Sequence, residues 1–481
     1  MNQRAVLRVL GFIVLAVGVA MLLPAAVALA YGGADFVPLL LSASFPVLVG
    51  AVVLATTRGS ADLRIKDGFA IVTFGWLASA VFGAVPYQAS GATTNFVDAF
   101  FESMSGFTTT GATIFSDVEV LPRGILLWRG LTQWLGGMGI VVLSVAVLPM
   151  LGIGGMQLFK AEVTGPTADR LSPRISSTAK ILWGVYVGMT ALQVGLLMLG
   201  GMGWFDAVCH TFATMSTGGF STRNASVGAF DSAYFDAVIT VFMFLAGANF
   251  SLHYWLVRRR ALRYRSDEEF RVYAMIVLFA VMLVGLQLIL RTGMTPLHAL
   301  RLASFQVVSI LSSTGFGTAD FLLWGFGVQA LMFAMMFCGG CAGSTSGGLK
   351  VMRVLVLTKH GLREIRKHLH PNAIFNVRLS GQLVQDHIMM NILGFFLLYT
   401  SVFMVVAITV AAMGLDVATA FGATITTLSN VGPGLGTVGP ASTYADVPLA
   451  AKFLLSLSML VGRLEVYTVV ILLTPMFWRR S

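Results

Sequence analysis

SGFTTTGAT (Ser105–Thr113) closes a short semi-polar stretch set between two apolar runs. Alone, such a Ser/Thr/Gly cluster indicates no more than close packing of transmembrane helices. The cluster returns three times, as TMSTGGFST (Thr214–Thr222), SILSSTGFGT (Ser309–Thr318) and TTLSNVGPG (Thr426–Gly434). Aligned on Gly111, Gly219, Gly315 and Gly432, the four stretches keep Thr109, Thr217, Ser313 and Asn430 two residues upstream. Thr108, Ser216, Ser312 and Ser429 stand three upstream, and Ala99, Ala207, Ala303 and Ala420 twelve upstream. Packing does not require four clusters in register. An internal repeat does.

Composition places the repeat in a membrane. The chain has 481 residues, 57% hydrophobic and 11% charged, against about 25% charged in soluble domains. Apolar runs of bilayer-spanning length recur at Val6–Tyr31, Phe36–Thr56, Ile181–Met202, Tyr273–Leu290 and Ile388–Met413, about 20 residues being needed to cross. These runs do not alternate as barrel strands do. The first exceeds a signal-peptide core and is followed at once by another, so it is expected to be a retained anchor. Cys209, Cys338 and Cys341 lie in apolar surroundings and imply no disulfide framework.

The net charge of +10 sits mostly in six clusters. They are Arg4 and Arg8; Arg58, Arg64 and Lys66; Lys160 to Lys180; Arg258 to Arg271; Lys350 to Arg378; and Arg479 with Arg480. Placing every cluster on the cytoplasmic side leaves two spans between neighbours, as the positive-inside rule asks. That accounts for the charge without nucleic acid. The expected fold is an all-α polytopic membrane protein of ten spans with both termini cytoplasmic. Its expected division is 1–62, two N-terminal transmembrane helices; then four helix–pore loop–helix repeats at 63–160, 161–265, 266–370 and 371–481.

Between each alanine and its glycine there is room for about nine helical residues, or about 13 Å. Such a segment cannot cross, so it must enter and return on one side. Non-helical backbone at membrane depth is tolerated only where protein or water meets its polar groups. Four loops converging on one axis satisfy that condition and stack their carbonyls into oxygen rings. Glycine fits because it adopts the φ values that turn consecutive carbonyls one way. Oxygen rings replace the hydration shell of a monovalent cation, and the short helices aim their negative ends at it. The expected filter comprises Thr109, Thr110 and Gly111; Thr217, Gly218 and Gly219; Ser313, Thr314 and Gly315; and Asn430, Val431 and Gly432. The side chains of Thr109, Thr217, Ser313 and Asn430 are expected to add a ring of ligands below the carbonyls.

With these motifs and two extra N-terminal spans, the chain resembles the Trk/Ktr/HKT superfamily of potassium transporters, in its TrkH/TrkG-type branch. The resemblance covers essentially the whole chain. It implies potassium uptake across a bacterial inner membrane, a homodimer, and control by a cytoplasmic TrkA-like nucleotide-binding ring. The ion is expected to be potassium, with no organic cofactor in this chain. Passive flow and sodium- or proton-coupled symport stay open. Plant relatives that favour sodium tend to carry serine at the first filter glycine, so Gly111 implies a preference for potassium. Asn430 departs from the Thr pattern of the other loops.

CGGCAGSTSGGLK (Cys338–Lys350) interrupts the apolar run Phe321–Lys359. A phosphate loop needs Lys-Ser/Thr after the last glycine and a strand before the loop; here Leu349 follows Gly348. CGGC lacks both a second ligand pair and a βαβ context. What remains is position, on the cytoplasmic side of the third loop, where a polar break frees backbone groups that need partners. The stretch resembles the family's intramembrane gating loop, with Gly339, Gly340, Gly343, Ser344, Thr345, Ser346, Gly347, Gly348 and Lys350 as its residues. A passive kink is the alternative.

Arg463 stands inside the last apolar run, Lys452–Trp478, where a charge costs several kcal/mol. It is either a packing residue bonded to carbonyls or a cation barrier, and it resembles the family's pore arginine. Glu465, two positions on, does not share its helix face. Glu102, His210 and Gln306 occupy one register position and are expected to brace the loops. Asp98 and Asp206 are expected to stabilise helix starts. His360, His368 and His370 read as solvated surface. Arg363, Arg366 and Lys367 suit membrane lipid headgroups or an acidic partner surface. No hydrolase or metalloprotease motif occurs, so an enzyme is not expected.

Overall fold

The computed structural model describes residues 2–57, 65–146, 175–257 and 262–479. The basic residues Arg58, Arg64, Lys160, Arg170, Arg174, Arg258–Arg260 and Arg480 lie outside them, as do the expected boundaries at 62 and 160. Among the described residues, six helices are long and apolar enough to cross a membrane, or up to eight if each of two bent pairs is one span.

The first two spans form a hairpin. Gln3–Ala20 continues after Met21 into Leu22–Ala30, and Phe36–Thr56 returns beside it. Their backbones approach so closely that a side chain at Gly50 would come within 2.7 Å of the Gly11 carbonyl. Small residues at a crossing permit such approach.

A common order then recurs four times: long helix, short helix, loop, second helix. The long helices are Ile65–Ala89, Ile175–Leu199, Glu268–Thr292 and Asp386–Ala412. The short ones are Phe96–Phe107, Trp204–Met215, Pro296–Leu311 and Val417–Leu428. Even the longest of these, at 16 residues, reaches about 24 Å, short of the roughly 30 Å hydrocarbon core. Local sequence sets their starts. Asn95 accepts from Val97 N at 2.8 Å and Asp416 from Thr419 N at 3.0 Å, while Pro296 supplies a first-turn proline.

The second helices begin as Arg123–Ala146, Ala233–Ala246, Phe326–Cys338 and Leu449–Arg463. Two bend where continuous spans were expected, and a third is interrupted where the sequence has its polar break. The second bends by 107° into Phe250–Leu256, and the fourth bends by 118° into Tyr467–Leu473. Glu465 and Val466 take positive φ at that last break, so Lys452–Trp478 is not one helix. The third ends at Cys338, and helix resumes only at Val351–Leu369; Phe321–Trp324, at its front, is a separate 3-10 turn. One departure from an all-helical chain occurs among the described residues: Arg378–Leu379 pairs antiparallel with Gln382–Leu383. Ser380 and Gly381, both at positive φ, supply its two-residue turn.

Candidate functional site

The four loops share one backbone conformation. Thr109, Thr217, Ser313 and Asn430 have φ of 53°, 55°, 58° and 54°. Gly111, Gly219, Gly315 and Gly432 have φ of 83°, 79°, 82° and 96°. The residue between each pair is not left-handed, so the sign of φ alternates and consecutive peptides are turned toward one side. A non-glycine residue held left-handed costs about 1–2 kcal/mol, and identical helix terminations hold all four. The N–H groups of Thr110, Gly218, Thr314 and Val431 donate to Ser105, Ala213, Ser309 and Thr426 carbonyls at 2.8–2.9 Å. This is a Schellman closure with a hydroxyl or amide residue where glycine usually sits.

The loops meet in a closed ring. A side chain on Gly111 would strike the carbonyl oxygen of Gly218, one on Gly219 that of Thr314, and one on Gly315 that of Val431. At Gly432 the added carbon would lie 2.8 Å from the Thr110 oxygen, which completes the circle. The twelve residues singled out from sequence therefore sit together, each loop's glycine against the carbonyl that precedes the glycine of the next loop. A cavity of about 180 Å³ opens onto all four glycines. At its rim, Asn224 donates to Asp117 at 2.8 Å and holds that carboxyl below its ordinary range.

Each loop is braced, by different chemistry. Thr110 and Thr314 hydroxyls pair with Thr108 and Ser312 at 2.8 and 2.7 Å within their own loops. In the fourth, the Asn430 amide donates to Thr110 Oγ1 at 2.9 Å and Met459 O at 3.0 Å. Tyr444 donates to Gly432 O at 3.1 Å. The second loop takes its brace from Gln133, which donates to Gly218 O at 2.7 Å and accepts from Phe220 N at 3.0 Å. Thr109 Oγ1 and Asn430 Oδ1 are buried without a hydrogen-bond partner among the described residues.

Glu102, His210 and Gln306 brace the chain leaving each ring position, as their shared register predicts. Glu102 accepts from Ile114 N at 2.9 Å, His210 Nε2 lies 2.9 Å from Ser221 Oγ, and Gln306 donates to Ala319 O at 2.7 Å. Glu102 also pairs with Arg129 at 2.8 Å, both side chains buried. Arg129 reaches on to Ser221 O at 3.1 Å and so links the first two loops. Sequence reading passed over Arg129 and Gln133, whose only signal is polarity within an apolar helix. Asp98 and Asp206 do more than favour helix starts. Asp98 binds buried Lys452 at 2.7 Å, and Asp206 binds Arg223 at 3.2 Å.

The glycine-rich segment lies directly against this ring. Gly347 N donates to Ser313 Oγ at 2.7 Å, and Ser346 Oγ lies 3.0 Å from that same hydroxyl. A side chain on Gly347 would strike Ser429 O in the fourth loop. Thr345 donates to Met215 O at 3.1 Å, at the end of the second short helix. The break thus touches three of the four units, and its freed backbone groups find protein partners. Glu269 accepts from Ala342 N at 2.6 Å, within the segment, and from Met352 N at 3.1 Å, just past its end. Lys350 donates to Ser346 O.

Arg463, 3% exposed, donates from Nη1 to Thr345 O at 2.7 Å. Its Nε and Nη2 are buried without partners among the described residues. Glu465 does not pair with it, as expected, and binds Arg353 at 2.5 Å; the helix ends at Arg463, so the break and not a helical face parts the two.

The sequence of the TrkH family of cation transport proteins matches residues 41–480. The chain is 40% identical to the Trk system potassium uptake protein TrkH of Halomonas elongata, with 100% of both chains covered. It is 36% identical to Trk system potassium uptake protein TrkG of Escherichia coli, covering 99% of each. The crystal structure of the potassium transporter TrkH from Vibrio parahaemolyticus superposes with a TM-score of 0.92 at 39% identity, over 100% of both chains. The chain belongs to the TrkH family of cation transport proteins.

Proposed function

We propose that this protein takes up potassium across a bacterial inner membrane through the ring of four loops. The observation that carries the reading is the cyclic contact of each loop glycine with the carbonyl of the next loop. Four carbonyls at one level can replace water around a dehydrated monovalent cation. Thr109 Oγ1 and Asn430 Oδ1, buried and unpartnered among the described residues, offer further oxygens beneath. Asn224, which lines the cavity, is bonded to the carboxylates Asp117 and Glu119, which favour cations nearby.

In this reading the segment Gly339–Lys350 is the gate, held closed against Ser313 and Ser429, and Arg463 is a fixed positive barrier beside it. Two N-terminal spans and four repeats make ten spans, with both termini and the basic clusters cytoplasmic. The protein acts as a homodimer among membrane lipids, controlled by a cytoplasmic TrkA-like ring. The helix Val351–Leu369 supports such docking, since Arg366 and Lys367 are exposed beside Leu362, Ile365 and Leu369. Salt bridges and hydrogen bonds carry a pull on that helix back to the gate.

The test is growth of potassium-uptake-deficient cells on low potassium, with rubidium and sodium uptake measured alongside. Rescue with rubidium preferred over sodium is expected. Failure to rescue with a matching cytoplasmic partner supplied would contradict the reading.

A further inference from the structure

The second loop is built differently from the other three. Its middle position is Gly218, where the others carry Thr110, Thr314 and Val431. A side chain added there would meet the amide group of Gln133, whose Cδ, Oε1 and Nε2 are the three nearest atoms. Gln133 is fully buried and comes from the second helix of the first unit, Arg123–Ala146. Its amide bonds Gly218 O at 2.7 Å and Phe220 N at 3.0 Å. That is a two-point clamp across Gly219.

In the first and third loops the equivalent hold is internal, from the pairs Thr110–Thr108 and Thr314–Ser312. Ser216 is the second loop's counterpart of Thr108, but Gly218 gives it no hydroxyl partner. Its own hydroxyl donates to Phe212 O at 2.7 Å, as Thr108 donates to Met104 O at 2.6 Å.

We propose that Gln133 is a specificity-determining positioning residue, standing in for the side chain that Gly218 lacks and fixing the ring diameter at the second loop. The proposal rests on the reading of the ring as a potassium filter. A clamp that holds Gly218 O sets how far one of four ligands moves toward a smaller cation. Without it, the second loop closes around sodium more readily. Because the neighbouring loops touch in a circle, slack at Gly218 reaches Gly111 directly.

The test uses the full chain in proteoliposomes, reading rubidium uptake, its competition by potassium and sodium, and thermal stability in detergent. Gln133→Met keeps an unbranched side chain of similar size and removes both hydrogen bonds. It is expected to lower the preference for potassium over sodium about tenfold, the factor one unmade buried hydrogen bond supplies, and to melt earlier than wild type, since Gly218 O and Phe220 N lose their partner. Gly218→Thr alone is expected to lower uptake and stability through collision with Gln133. Combined with Gln133→Ala, the same Gly218→Thr change opens room for the hydroxyl pair with Ser216 and is expected to restore both stability and potassium preference. Unchanged selectivity in Gln133→Met, or a double variant no better than Gly218→Thr, would overturn the proposal. If the wild type carries no rubidium, the transport reading falls, and the stability pattern of the three variants still decides whether Gln133 fills the place of the missing side chain.

Discussion

Arg463 donates to the carbonyl of Thr345 at 2.7 Å, joining the break in the last span to the middle of the glycine-rich segment. Its remaining buried N–H groups face no protein acceptor among the described residues. In the proposed reading, an arginine with spare donors beside the glycine-rich segment repels a cation and latches the segment at once. Arg463→Ala removes both effects. Cation flux is expected to rise severalfold at equal protein level, read as initial rubidium uptake. An unchanged or lower rate in a well-folded variant would remove the barrier role.

Glu269 holds two N–H groups, one inside the glycine segment at Ala342 and one just past it at Met352. Glu269→Ala strands both donors, at about 1–3 kcal/mol each. Glu269→Gln keeps a carbonyl acceptor in place. The alanine variant is expected to melt earlier in detergent and to leak rubidium, while the glutamine variant stays close to wild type. Equal behaviour of the two would show that the carboxyl oxygen is not the latch.

Arg353 and Glu465 form an ion pair, with side chains 6% and 15% exposed, between the helix that follows the segment and the break that follows Arg463. Arg353 also lies 4.0 Å over the Phe395 ring. Removing one partner of a buried pair costs about 3–5 kcal/mol. Arg353→Met and Glu465→Gln are each expected to be destabilising, and the double variant less so than the sum, with a coupling of about 1–3 kcal/mol. A double-mutant cycle on thermal stability measures it, and strict additivity would deny the coupling.

The ring was legible in the sequence because its geometry is demanding. Alternating left-handed positions call for glycine at one place and tolerate a small polar residue two positions before, so Gly111 and Thr109 leave a spaced trace that recurs. Arg463 was legible because charge in a span is costly. The bends after Ala246 and after Arg463 were less so. Nothing in GRLEVYT, which runs on from Gly462, announces that Glu465 and Val466 turn left-handed, since Val466 is a poor candidate for that region and tertiary contacts decide it. Glu269 stands at a helix start beside Asp267 and Glu268, where acidic residues are ordinary. Arg353 was absorbed into a basic cytoplasmic cluster. Gln133 and Arg129 act on the loop of the next unit, and such a partner leaves no spacing signal in the chain.

The central claim is that four loop glycines and their neighbours' carbonyls form a potassium filter. Gly111 is its most exposed test, because any side chain there meets Gly218 O and its φ of 83° disfavours L residues. The measurement is the potassium-over-sodium selectivity of Gly111→Ser against wild type, from competition with rubidium uptake in the same proteoliposomes. The expected result is a fall of tenfold or more, about 1.4 kcal/mol of discrimination, with uptake still detectable. Unchanged selectivity in a folded variant would mean that the first loop is not part of the filter.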